Sequence, residues 1–225
     1  MDDRRTQAEQ DYLKAIFDLG EESQPVSTSL LARHLGVSPA SVTGMLQRLA
    51  AYRPALVAYR KHHGTRLTSE GRRQALLVVR HHRLIESYLH RALGMGWDEV
   101  HAEAHRLEHA LSPAVGERLS AALGDPARDP HGDPIPDREL RLPVLCEAAL
   151  STVGAGGFVT VRRVDDADPA FLRHVASLGL VPGVSLQVIG SSSFDRLLSI
   201  RLAGQSEPLV VGPAISDQVF VESGA

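Results

Sequence analysis

The residues of this chain best equipped for chemistry lie in the run His101-Ala-Glu-Ala-His105-Arg-Leu-Glu108-His109. Imidazole nitrogen and carboxylate oxygen are the donors that divalent first-row ions accept when no thiolate is offered. On a helix, residues three and four apart share a face, so positions 101, 105, 108 and 109 fall on one stripe. Upstream, His82 and Glu86 repeat the four-residue spacing, and an antiparallel pair of helices would bring both sets together. Six of the eleven histidines fall between His81 and His109. One His/Glu pair on a surface helix is ordinarily a solvated pair, but two neighbouring helices carrying both types at coordinating spacing favour a metal.

Other chemistries find less support. Cys146 is the single cysteine, which excludes an internal disulfide and a thiolate cluster. A zincin protease needs HExxH, whereas here the acid is Glu103, midway between His101 and His105, where it cannot serve as the base. No phosphate-cradling glycine loop, GxSxG elbow or cysteine nucleophile appears, so no enzyme is expected. A metal-dependent hydrolase would need an open coordination position beside a substrate pocket.

The elements that must position these donors can be read from periodicity. QAEQDYLKAIFDLG places Tyr12, Leu13, Ile16, Phe17 and Leu19 on one side of a helix ending at Gly20. A short helix from Ser27 to Gly36 and another beginning at Val37-Ser38-Pro39 form a helix-turn-helix, with Val42, Met45, Leu46 and Leu49 as the inner stripe of the second. Its outer face carries Ser38, Pro39, Ala40, Ser41, Thr43, Gln47 and Arg48. Two strands, Leu56 to Arg60 and Thr65 to Thr68, follow as a wing bearing Arg60, Lys61 and Arg66. The net charge is -3, but between Arg33 and Arg73 eight basic side chains stand against one acid, Glu70, as a phosphate-binding surface requires.

Helical periodicity then returns to about Leu123, with a break at Gly94 to Trp97 and a third helix expected from Pro113, and these helices would also dimerise the protein. The Pro/Gly/Asp-rich segment Gly124 to Pro143 suggests a tether. Alternating strands after residue 150, with one helix at Pro169 to Leu178, outline a small β-barrel. The expected fold is therefore mainly α with a C-terminal all-β domain. Its domains would be 1–74, a winged helix-turn-helix; 75–143, helices for metal and dimerisation; and 144–225, the barrel. The opening MDDRRTQAEQ is too polar for a signal peptide, and no apolar run reaches the roughly 20 residues of a membrane span, so a cytoplasmic location is expected.

Along nearly its whole length the chain resembles the diphtheria toxin repressor and manganese transport regulator family of metal-dependent repressors. The resemblance is carried by DYLKAIFDL, VSPASVTGMLQRL, LTSEGR, RHHRLIESYL, VHAEAHRLEHALS and DPHGDPIP. The last part, with LGLVPG, is similar to that family's SH3-like domain and to ferrous iron transport protein A. It implies two metal ions per subunit, one held by His82, Glu86 and His101, with Asp168 as a further ligand from the last domain. The other, regulatory ion would be held by Asp11, His105, Glu108 and His109. Iron-type members typically have methionine and cysteine at the positions of Asp11 and His105, and manganese-type members aspartate and glutamate. Asp11 thus points to Mn²⁺, His105 is compatible with Fe²⁺ as well, and Lys14 stands where manganese-type members have an acid. The implied function is repression of metal-uptake genes by a homodimer on double-stranded operator DNA, with neither membrane nor small-molecule substrate. Two alternatives are an iron-dependent repressor of the same family and a metal-independent winged-helix DNA-binding protein.

Overall fold

A computed structural model describes residues 6–22 and 25–223. It divides into two compact units, the first comprising the chain up to His82 with Leu107–Glu117 and Pro136–Arg141, the second Arg83–Arg106, Arg118–Ile135 and the chain from Leu142 onward. Among the described residues no helix is long and apolar enough to cross a membrane.

In the first unit, α1 spans Gln7–Glu22 and runs two residues past the expected stop at Gly20, burying Tyr12, Leu13, Ile16 and Phe17. Helix α2, Thr28–His34, starts at Ser27, whose hydroxyl accepts the Leu30 N–H. Gly36, at φ 65°, takes the left-handed position beyond its end. Helix α3, Pro39–Ala51, is capped in the same way by Ser38 and has proline in its first turn, where the missing N–H costs nothing. Val42, Leu46 and Leu49 are its buried stripe. The wing strands β1 (Val57–Arg60) and β2 (Gly64–Leu67) pair antiparallel from Val57↔Leu67 to Arg60↔Gly64. Val26 joins the edge of the wing through two 2.9 Å backbone bonds with Thr65.

Helix α4, Ser69–Leu93, starts in this unit and continues into the second. Helix α5 spans Val100–Leu107 and α6 Pro113–Ala122. The sequence suggested one stripe through His109, but α5 stops at Leu107 and Glu108 to Ala110 form a turn. Pro113 bars a helix from running on through Ser112, and the chain turns before reaching it, Ala110 N bonding Leu107 O at 3.0 Å.

The second unit holds a six-stranded antiparallel sheet in the order β3-β8-β4-β5-β6-β7. The strands are β3 Ala148–Ala149, β4 Phe158–Val164, β5 Ser185–Ser191, β6 Leu198–Leu202, β7 Leu209–Val211 and β8 Val219–Ser223. Helix α7, Pro169–Ser177, connects β4 to β5, and α8, Pro213–Ser216, leads into β8. Alternate residues of the strands, with Leu172, Val175 and Leu180, make one apolar core onto which Trp97 packs. The expected tether is folded over much of its length. Asp129 and Asp133 close a tight turn, Ile135 N bonds Ala127 O at 2.9 Å, and Asp129, His131 and Ile135 are buried. Proline and glycine mark turns as readily as linkers; buried ionic groups decide between them here.

At Gly71, in the first turn of α4, an added Cβ would lie 1.8 Å from the Leu56 carbonyl oxygen. Gly71→Ala is expected to destabilise the protein by roughly 1–3 kcal/mol, the usual cost of overpacking, seen as a lower midpoint in urea unfolding. An unchanged midpoint would mean that helix and wing entry part without cost.

Candidate metal centres

In the first unit, α1 carries Gln10, Asp11 and Lys14 towards the turn that follows α5. His109 donates from Nδ1 to Gln10 Oε1 at 2.6 Å, which leaves Nε2 as its ligand nitrogen. That Nε2 is 2.9 Å from Asp11 Oδ1 and 3.4 Å from Glu108 Oε1. Neighbouring ligands of an octahedral ion with bonds of about 2.1 Å lie about 3 Å apart. The donor atoms of Asp11, Glu108 and His109 all fall within 4.8 Å of one another. His105 lies on α5 one turn before Glu108 and His109, and is exposed.

Glu108 is 1% exposed. Its Oε2 accepts from Lys14 Nζ at 2.8 Å and from His82 Nδ1 at 2.6 Å. Burial pushes the carboxyl up, but the His82 hydrogen bond and charge and the Lys14 ammonium outweigh it and hold it down at about 2. This carboxylate is ionised at any physiological pH.

In the second unit, Glu86 from α4, His101 from α5 and Asp166 from the loop after β4 converge, their donor atoms within 4.8 Å of one another. His101 donates from Nδ1 to both acids, at 3.2 Å to Glu86 Oε1 and 2.8 Å to Asp166 Oδ2. Burial disfavours its charge, yet the two acids prevail and raise it to about 10. Burial likewise works against the Asp166 carboxylate, and its bond to His101 brings it below its ordinary range. A cation entering this group must displace the His101 proton. His82 precedes Glu86 by one turn of α4. Asp168, expected as the acid from the last domain, instead caps α7, accepting the Ala170 N–H at 2.8 Å. With Pro169 fixing the first turn, its side chain is committed to the helix, and Asp166 takes the place beside His101.

Sequence reasoning also missed Gln10, Asp129 and His131. Asp129 and His131 lie in the DPHGD segment, where two polar side chains between turn formers were the available signal. Burial and the neighbouring charges of Glu86 and Asp133 push the Asp129 carboxyl well above its usual range.

The residues expected to face DNA are exposed at Ser38, Pro39, Ala40, Ser41, Gln47, Arg48, Arg60, Lys61 and Arg66, and partly buried at Thr43. The Ser38 hydroxyl caps α3, and Thr43 donates to the Pro39 carbonyl at 3.0 Å. Those two groups shape the helix start, and the Ser41 hydroxyl joins them at 2.9 Å from that of Ser38.

Three family descriptions match the chain in succession: the N-terminal DNA binding domain of iron dependent repressors over residues 5–65, their metal binding and dimerisation domain over 68–137, and the FeoA domain over 148–223. The iron-dependent repressor IdeR of Mycobacterium leprae (strain TN) is 39% identical over 125 residues, 56% of this chain and 54% of its own length. The chain thus spans about half the length of that relative. The HTH-type transcriptional regulator MntR of Geobacillus kaustophilus (strain HTA426) is 34% identical over 107 residues, 48% of this chain and 74% of its own. A solved structure described as a manganese-dependent transcriptional repressor complex with manganese superimposes with a TM-score of 0.88 at 40% identity, covering 96% of this chain and 99% of that one. Full-length likeness to a repressor at that identity, with both iron dependent repressor domains matched in order, makes this chain a member of the iron-dependent repressor family.

Proposed function

We propose that the protein is a divalent-metal-dependent repressor that binds double-stranded operator DNA as a homodimer, with Mn²⁺ favoured over Fe²⁺. The observation that carries this reading is the meeting of Asp11, on the first helix of the DNA-reading unit, with Glu108 and His109 from the turn after α5. Asp11, His105, Glu108 and His109 would hold the regulatory ion, and His82, Glu86, His101 and Asp166 a second. A bound divalent cation supplies the positive charge that the gathered carboxylates and imidazoles share. Hard oxygen from Asp11 and Glu108 suits Mn²⁺, while the imidazoles also admit Fe²⁺.

The residues of the chain do the rest. Gln10 orients His109, and Asp11 transmits the demands of its position along α1 to the core beneath α2 and α3. Two copies of α3 must stand about 34 Å apart to enter successive major grooves on one face of the duplex. Holding α1 in a single posture selects that arrangement from a looser ensemble. Ser41, Gln47 and Arg48 face base edges, while Arg60, Lys61 and Arg66 meet phosphates. Nothing in the reading requires catalysis.

His109→Ala and Asp11→Ala should each reduce Mn²⁺-dependent operator affinity to the level measured with chelator, while circular dichroism stays at wild type. Equal operator binding with and without metal in the wild-type protein would refute the model and favour a metal-independent winged-helix protein. Lys61→Ala should weaken binding to all sequences alike and lower the slope of log affinity against log salt by about one; a change confined to one operator would assign Lys61 to base reading. Lys14→Ala removes an ammonium that competes for Glu108 and should tighten Mn²⁺ binding about tenfold, equivalent to ~1.4 kcal/mol. Weaker binding in calorimetry would make Lys14 a supporting group instead.

A further inference from the structure

The start of α1 is held from two sides. On one side Gln10 accepts from His109 at 2.6 Å, Asp11 Oδ1 lies 2.9 Å from His109 Nε2, and Lys14 donates to Glu108 at 2.8 Å. These three residues face the turn after α5. Residues two apart on a helix project in nearly opposite directions, and Glu9 faces away from Asp11: its Oε1 accepts from the Tyr52 hydroxyl at 2.9 Å. Tyr52 is the C-cap of α3, the helix whose outer face is assigned to base edges. All of these residues belong to the first unit.

Glu9 is 3% exposed, and both of its oxygens are used. Oε2 accepts the Thr6 N–H at 3.0 Å while the Thr6 hydroxyl accepts the Glu9 N–H at 3.3 Å, the reciprocal pair of a capping box. That motif occupies one carboxylate oxygen; the other is committed to a side chain 43 residues further along. The Tyr52 end is as well defined. Arg53 Nη1 donates to the carbonyls of Ala51 and Tyr52 at 3.1 and 2.9 Å, and Leu56 N bonds Leu49 O at 3.0 Å, so the backbone leaving α3 holds a single course. Leu13, Ile16 and Phe17 bury α1 in the core, but apolar burial is non-directional. A hydrogen bond has length and angle requirements, so the Tyr52 hydroxyl sets a register between α1 and α3 that apolar contact leaves free.

We infer that Tyr52 is a positioning residue: its bond to Glu9 ties the end of the reading helix to the turn of α1 that carries Asp11, so a constraint placed on Asp11 reaches α3 through this hydroxyl. The inference rests on the metal reading of Asp11, Glu108 and His109, and Glu9 and Tyr52 lie outside that ligand set.

The test uses the full chain, with Mn²⁺ added or removed by chelator. Tyr52→Phe deletes one hydroxyl and keeps the ring, and in equilibrium dialysis it should bind as many Mn²⁺ ions per chain as wild type. In hydrogen exchange, Mn²⁺ should slow the amides of both α1 and α3 in wild type. In Tyr52→Phe the slowing of α1 should persist and that of α3 should shrink about fivefold, equivalent to the ~1 kcal/mol of one hydrogen bond. Glu9→Ala should diminish the α3 response equally, and the double variant no further, because both substitutions remove the same bond. Glu9→Ala also loses the Thr6 cap; if it fails to fold, Tyr52→Phe decides alone. A bond serving stability only would lower the urea midpoint and leave the α3 response at its wild-type size. That result would overturn the inference, as would additive losses, a wild-type α3 indifferent to Mn²⁺, or loss of bound Mn²⁺ in Tyr52→Phe. If α3 follows Mn²⁺ through Tyr52 while operator affinity ignores metal, the proposed function fails and the link stands. If operator affinity follows Mn²⁺ equally in wild type and Tyr52→Phe, the link fails and the function stands.

Discussion

Two carboxylates withdrawn from water set the terms for the rest of the molecule. Glu86 and Glu108 are 0% and 1% exposed, and a buried charge survives only when it is paired and hydrogen-bonded. Glu108 is neutralised by Lys14 and His82, and Glu86 by His101, which Asp166 holds in turn. Gln10 plays the same part for His109. The clusters are hydrogen-bonded networks whose members have one geometry each, and this makes them usable as coordination sites.

Much of the helical and strand pattern was legible because it depends on short-range rules. The helix from Ser27 to Gly36, the helix start at Val37-Ser38-Pro39 and the alternating strands after residue 150 could be read, since each signal lies within a few residues of its effect. The two-residue β3 left no such signal. The end of α5 at Leu107 was missed because the spacing of 101, 105, 108 and 109 fits a helix; the turn keeps Glu108 and His109 near the same side without helical geometry.

The clusters were legible in their residue types more than in their membership. Asp11, Glu108 and His109 were expected together and stand together, as do Glu86 and His101. Asp166 and Asp168 are chemically equivalent in sequence, and only the demand of α7 for a cap separates them. His131 and Asp129 were hidden by the composition of their segment, because a run of Asp, Pro, His and Gly says nothing about burial until Arg83, Trp97 and β4 pack around it.

That packing bears on how the sheet contributes to the His101 cluster. A domain on a loose linker offers its side chains at a local concentration set by linker length, typically millimolar for short flexible tethers. Residues 126–135 instead fold as a tight hairpin locked to β4 within the same unit, so Asp166 is presented to His101 with its translational and rotational freedom already spent during folding. Lengthening the polypeptide around this hairpin would therefore cost little, whereas loosening the hairpin itself would disperse the cluster.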